Sequence, residues 1–306
     1  MKANGDAVVR KRRYLPTSNS AEPITQNGIC ILGHIARLDI LTVNQLSLLV
    51  SRSEQSVRRD LRRLFDGGMV RITLIPRALL ETSGVDPIRD SFGSAPNCYS
   101  VSTKGIRLLD SLGMECPDTP PPPLGPANWL FVRHELAVRD VVIHFLRSAA
   151  AYPSHEVEQL HLGPDAIMDL ARHAVPKTAR PDAWLLYRFG SRVLVALLEY
   201  DTGSEKGAKR WTEKLTAFRH LLSSSRLHAI TGHSFGRVVV VCRTAARRDN
   251  LAELIAQHAE ASLAERFWVA AKSDMLEPDL SLPIWRNSKS KNLVPLIPED
   301  LFTEGT

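Results

Sequence analysis

The chain has 306 residues, 44% apolar and 24% charged, the balance of a folded soluble protein with room for two domains. Its 39 Lys and Arg against 33 Asp and Glu give a net charge of +6, which leans toward a polyanionic partner such as nucleic acid. The four cysteines, Cys30, Cys98, Cys116 and Cys242, form no CxxC pair, which argues against a zinc site or disulfide framework and for a reducing cytosol. No apolar run approaches the roughly 20 residues of a membrane span.

Residues 1–22 form a basic arm, expected to be flexible, with Lys2, Arg10, Lys11, Arg12 and Arg13 but no apolar signal core after them. The arm either touches phosphates or is a solvated tail. A first domain follows over 23–116. Ile31, Leu32, Ile35 and Leu38 recur at helical spacing and predict a helix over about 24–38. Thr42 can cap a short second helix carrying Val43, Leu46 and Leu49, and Ser53 a third carrying Val57, Leu61 and Leu64. The turn Ser51-Arg52-Ser53 between them is short. The outward face of the third helix carries Gln55, Arg58, Arg59 and Arg62, and Gly67-Gly68 ends it. Residues 69–74 and 98–101 read as two strands, with a long wing tip or loop between them. A last helix begins near Thr103 with Ile106, Leu108 and Leu109.

This stretch, SEQSVRRDLRRLFDGGMVRI above all, resembles a winged helix-turn-helix domain. The resemblance implies that the third helix enters the major groove of double-stranded DNA, with Gln55, Arg58, Arg59 and Arg62 as the contacts. Arginine suits both the bidentate pairing to guanine and the phosphate clamp. The plainer readings are a solvated arginine face or a dimerising domain.

The segment PDTPPPPLGP, residues 117–126, is a stiff Pro-rich linker. A second domain follows over 127–275. Its expected order is a helix over about 128–146, a strand over 156–162, a loop or short helix over 165–174, two strands bearing Asp182 and Glu199, a helix over 205–222, a strand over 237–242, a helix over 250–263 and a strand over 266–271. Residues 276–306, with Pro278, Pro283, Pro295 and Pro298, are a tail that packs as an extended strap or is mobile.

The Gly-first dipeptide Gly190-Ser191 suits a two-residue hairpin turn. A hairpin symmetric about it sets Asp182, in RPDAWLLY, opposite Glu199, in VLVALLEYD. Opposed carboxylates lie roughly 5 Å apart and repel, and a divalent metal is the obvious neutraliser. Alternatively the hairpin is exposed and mixed in charge, with Asp201 facing Arg180. In the following helix, Trp211, Leu215, Phe218 and Leu222 form the buried stripe. Lys214 is about 60° from Trp211 at roughly 100° per residue, so it can point back over the sheet or snorkel to solvent. Lys206 and Lys209 read as solvated.

The order α-β-β-β-α-β, with acids on the second and third strands, resembles the core of the PD-(D/E)XK nuclease superfamily. Pro181-Asp182 and Glu199 carry the match. It implies that Asp182 and Glu199, with Asp201 as a further ligand, hold Mg²⁺ or Mn²⁺ that activates water. The lysine that the superfamily places two residues after the Glu is Asp201 here, a departure for which Lys214 is the candidate substitute. Glu135, beside His134 on the first helix, is the further candidate for the metal site; the plainer reading is a solvated Glu and a packed His.

The set of winged helix, linker, VRHELAVRDVV, RPDAWLLY and LLEYDTGSEKGAKRWTEKL is similar to the replication-relaxation family of plasmids and other mobile elements. The expected fold is α+β, an N-terminal winged helix-turn-helix domain joined by the Pro-rich linker to a mixed α/β PD-(D/E)XK nuclease-like domain. The resemblance implies a cytoplasmic DNA-binding protein of replication, mobilisation or DNA relaxation. Its expected partner is double-stranded DNA, with a second copy of the chain and replication or relaxosome proteins as further candidates. Two mechanisms stand: a metal-dependent endonuclease or nickase, or a non-enzymatic regulator or accessory factor with an inactive nuclease-like domain. GHSFG, residues 232–236, has the form of a hydrolase nucleophile elbow but lacks the strand-Ser-helix order, and reads as a loop.

Overall fold

The computed structural model of the protein describes residues 23–74, 96–123, 129–168, 179–203, 208–222 and 225–298. The basic arm, the expected wing tip over 75–95, the linker end, residues 169–178, Lys206 and the last residues of the tail lie outside them. The chain divides into two compact units between Arg139 and Asp140.

In the first unit, helix α1 (Gln26–Leu38) starts at Thr25, whose Oγ1 accepts the Gly28 N–H at 3.1 Å. Helix α2 (Val43–Leu49) begins with a reciprocal cap, in which Thr42 and Gln45 each accept the other's backbone N–H. Ser53 caps α3 (Glu54–Asp66) through the Ser56 N–H. Ile31, Leu32, Ile35, Leu38, Leu46, Val57, Leu61 and Leu64 are buried together, as their spacing predicts. Strands β1 (Leu41–Thr42), β2 (Val70–Thr73) and β3 (Cys98–Val101) form an antiparallel sheet in the order β1-β3-β2. β1 was not expected, because two residues are too few to show a period. Helix α4 (Thr103–Ser111) packs closely on the start of β2: a Cβ on Gly105 would lie 2.3 Å from the Met69 carbonyl oxygen, so only glycine fits there.

The first turns of helix α5 (Trp129–Ala151) also belong to this unit. Gln45 Nε2 donates to the Leu136 carbonyl at 2.8 Å, and buried Arg139 donates to the Leu38 carbonyl at 3.1 Å and pairs with Asp39 at 3.3 Å. These buried polar ties set the observed division within α5, beyond the proline segment that marks it in the sequence.

The second unit is built on a five-stranded sheet in the order β4-β5-β6-β7-β8. Strands β4 (His155–Leu162), β5 (Ala183–Phe189) and β6 (Arg192–Asp201) run antiparallel, while β7 (Gly236–Cys242) and β8 (Phe267–Ala271) run parallel to β6. The register between β5 and β6 is the one the turn predicts, from Ala183 opposite Leu198 to Phe189 opposite Arg192. Gly190 supplies the positive φ of 56° at the first loop position. Helices α6 (Ala208–Leu222), α7 (Arg226–Thr231), α8 (Ala245–His258) and α9 (Ala261–Ala264) make the crossovers. Trp211, Leu215, Phe218 and Leu221 of α6 and Leu251 and Ile255 of α8 pack on Trp184, Leu186, Val195, Leu197, Val238 and Val240. On the other face Phe145 of α5 meets Tyr187 edge-on at 5.9 Å, and Ser148 Oγ shares a hydrogen bond with the Tyr187 hydroxyl at 3.2 Å.

With both faces covered, β6 reads as a near-continuous apolar run, and its eight residues from Leu194 to Asp201 are buried. The exposed, mixed-charge hairpin is therefore corrected: it lies at the centre of the sheet. α7 was not expected. It ends at Gly232, φ 76°, and GHSFG crosses to β7 as a loop. The described part of the tail packs as a strap. Trp285 and Leu296 are fully buried, Arg286 exchanges backbone hydrogen bonds with Val269 of β8, and Asn287 Nδ2 donates to the Glu265 and Phe267 carbonyls. No described helix is long and apolar enough to cross a membrane.

Candidate functional site

Two charged features stand out, one in each unit. The first is the outer face of α3. Gln55, Arg58 and Arg59 are exposed. Arg58 pairs with Glu54 at 2.5 Å, one turn back, and Arg59 reaches Ser56 Oγ at 3.4 Å. An exposed pair of this kind is worth about 0.3–0.5 kcal/mol, so a phosphate can take Arg58 from Glu54 at little cost. Arg62 differs. It is half-buried, paired with Asp66 at 2.8 Å and set over the Phe65 ring at 5.6 Å. The turn before α3 is fixed by buried Asp60, which accepts Arg52 at 2.7 Å.

The second feature lies at the carboxyl end of β6, on the side covered by α6. Glu199 is 2% exposed, and Lys214 Nζ donates to its Oε2 at 2.6 Å while lying 5.1 Å from the Trp211 ring centre. Lys214 thus points back over the sheet, the first of its two sequence readings. Asp182 sits just ahead of β5. Its N–H donates to the Leu198 carbonyl at 2.9 Å, and its Oδ2 accepts the Tyr200 N–H at 2.7 Å, so a side chain continues the ladder where the strand stops.

Asp201, 7% exposed, receives four hydrogen bonds: from Trp211 Nε1 at 2.9 Å, Gly203 N at 2.6 Å, and Arg247 Nε and Nη2 at 3.2 and 2.8 Å. Burial pushes this carboxyl up, but the donors from Arg247, Gly203 and Trp211 outweigh it and hold it below the usual carboxylate range. The expected alternative partner, Arg180, is exposed and gives way to Arg247. Arg247 was not singled out in the sequence. It stands in the first turn of α8, where Thr244 Oγ1 accepts its N–H. The parallel pairing of Asp201 with Cys242 delivers that turn to the end of β6.

Glu135 is engaged within the first unit. It pairs with Arg139 and lies 3.9 Å from His134 Nδ1. Burial raises its carboxyl, and His134 and Arg139 bring it below the usual range. Among the described residues no three His, Cys, Asp or Glu side chains gather closely enough to hold a metal ion. The acids at the end of β6 do not fit a divalent cation as they are folded: Glu199 is neutralised by Lys214, Asp201 by Arg247, and the Asp182 carboxylate holds a backbone N–H. A cation entering there has to share these carboxylates with an ammonium and a guanidinium that already neutralise two of them.

These features define an α+β protein of two units, one with an arginine-bearing helix beside a small antiparallel sheet, the other a mixed sheet with neutralised acids at its carboxyl end. The chain belongs to the replication-relaxation family, whose sequence model matches residues 32–238, from within α1 to within β7. Membership connects it with the replication or relaxation of plasmids or mobile elements. Among curated proteins and solved structures, none matches the chain.

Proposed function

We propose that the protein is a DNA-binding factor of plasmid or mobile-element replication or relaxation that holds duplex DNA through α3 and needs no metal to do so. The observation that carries the reading is the exposure of Gln55, Arg58 and Arg59 on the helix that follows a tight, ion-paired turn. The element order α1-β1-α2-α3-β2-β3 supports reading this unit as a winged helix-turn-helix, in which the helix after the turn would enter the major groove. Gln55 and Arg58, nearer its N-terminus, would meet base edges, and Arg59 a phosphate. Arg62 would serve the helix rather than the DNA.

On this reading the second unit, a mixed sheet flanked by helices, would be a nuclease-like core whose acids form a structural charge network. One observation favours cleavage instead: the register brings Asp182 and Glu199 to one end of the hairpin, with Lys214 on Glu199. The isosteric variant Asp182→Asn/Glu199→Gln separates DNA binding from these acids. Its duplex affinity is expected within about twofold of the parent. A loss comparable to that from removing Arg58 and Arg59, in a variant that still melts cooperatively, contradicts the assignment of DNA binding to α3.

A further inference from the structure

The amino ends of β7 and β8 carry a cationic and aromatic mosaic that neither α3 nor the acids involve. Val238 lies opposite Phe267, and the Val238 N–H donates to the Arg266 carbonyl at 2.8 Å. The same register sets Arg237 beside Arg266. Alternation along the strands then places Phe235, Arg237, Arg266 and Trp268 on one face of the sheet, opposite to the face that Val238, Val240 and Phe267 turn toward α6 and α8. The four side chains interlock. The Arg266 guanidinium stands 3.7 Å from the Phe235 ring centre and that of Arg237 4.5 Å from Trp268.

Two guanidiniums side by side repel unless an anion lies near. Here both donate to main-chain carbonyls, Arg237 to Leu296 of the strap and Arg266 Nη1 to Gly236 at 3.3 Å. Among the described residues neither is paired with a carboxylate, and Glu265, next to Arg266, is taken by Lys289 at 3.0 Å. Burial, then the charge of Arg266, pushes Arg237 down to about 10; burial also lowers Arg266, against the charge of the neighbouring Glu265. Phe235 is 51% exposed although the strand it precedes is buried. One of its faces holds a guanidinium.

We infer that this mosaic is a binding surface for single-stranded DNA, with a phosphate drawn to Arg237 and Arg266 and an unpaired base stacked on Phe235. Phosphate is the anion that a pair of guanidiniums fits best. An exposed aromatic beside them discriminates between forms of DNA, because a duplex hides its base faces and a single strand offers them. The strands separated during replication or relaxation supply such a ligand. To that extent the inference rests on the DNA-handling function proposed above, but it uses a different surface in a different unit.

The test uses the full chain, a fluorescent oligothymidylate of roughly 16 nucleotides and a duplex, read by anisotropy. Phe235→Ala is expected to weaken oligothymidylate binding about tenfold, the loss of one stacked base, and to leave duplex binding unchanged. Phe235→Trp should keep or improve it, which separates stacking from misfolding. Arg266→Gln should weaken it and flatten its salt dependence by about one phosphate contact. The inference is overturned if the parent protein does not bind the single strand, if Phe235→Ala binds it like the parent, or if single strand and duplex weaken together. A parent that binds single strands but no duplex sinks the α3 reading and leaves this one standing.

Discussion

Arg58→Ala/Arg59→Ala is expected to weaken duplex binding about thirtyfold or more at fixed salt. Each lost arginine contact to DNA is worth about 1–3 kcal/mol. Each lost phosphate contact also reduces the slope of log affinity against log salt by about 0.9. Stability should hardly change, since Arg58 is 61% exposed and its pairing with Glu54 is of the weak surface kind. Anisotropy titrations over a range of salt, beside urea unfolding of the same protein, separate the two effects. Unchanged affinity at every salt concentration removes α3 as the DNA-contacting element. Arg62→Ala, by contrast, should act more on the helix end than on DNA, because Arg62 is committed to Asp66 and Phe65.

The second large effect is expected at Arg247. Arg247→Ala leaves the Asp201 carboxylate, 3% exposed at its side chain, with only neutral donors, Trp211 Nε1 and Gly203 N. Removing one partner of a buried ion pair costs about 3–5 kcal/mol. The pH dependence has a definite sign. In the parent the Asp201 carboxyl is held below its ordinary value of 3.8, so its contribution to stability is present above that value and is lost as pH falls through the folded pKa. In Arg247→Ala the burial remains while the charged donor is gone, so the carboxyl rises. The variant's deficit is therefore greatest near neutral pH and shrinks as pH falls toward the carboxylate range. Urea unfolding at pH 7 and pH 5 measures both. Asp201→Asn/Arg247→Met, which removes the whole pair, should lose less than Arg247→Ala alone, since no charge stays buried. A deficit under about 1 kcal/mol, or one independent of pH, contradicts the role given to this pair.

What was legible in the sequence was local. Gly190-Ser191 could set the β5–β6 register because a two-residue loop fixes strand pairing without reference to the rest of the chain. The same holds for the caps at Thr42 and Ser53. Helical rotation, with Trp211 marking the buried side, allowed Lys214 a place over the sheet but left snorkelling to solvent equally open. The partner of Asp201 could not be found this way. Arg247 and Arg248 are adjacent arginines in sequence, and only the parallel pairing of β6 with β7 turns the first of them onto Asp201 while the second binds Asp249 and Asp274. Without Arg247, the acids on the strands read as a site short of a cation. With it, and with Lys214 on Glu199, they are a neutralised network. The ties of Gln45 and Arg139 that hold the start of α5 were illegible for a similar reason: prolines mark a stiff segment, but these ties are tertiary.

The most direct test of a metal-independent DNA-binding function is to incubate the parent protein with a labelled duplex and with supercoiled plasmid, in EDTA and in Mg²⁺ or Mn²⁺, beside Asp182→Asn/Glu199→Gln. The duplex is expected to bind equally well in EDTA and in metal, and the plasmid to remain supercoiled throughout. Binding that requires the metal, or metal-dependent nicking that the Asp182→Asn/Glu199→Gln protein lacks, contradicts the account and makes the acids at the end of β6 a catalytic centre.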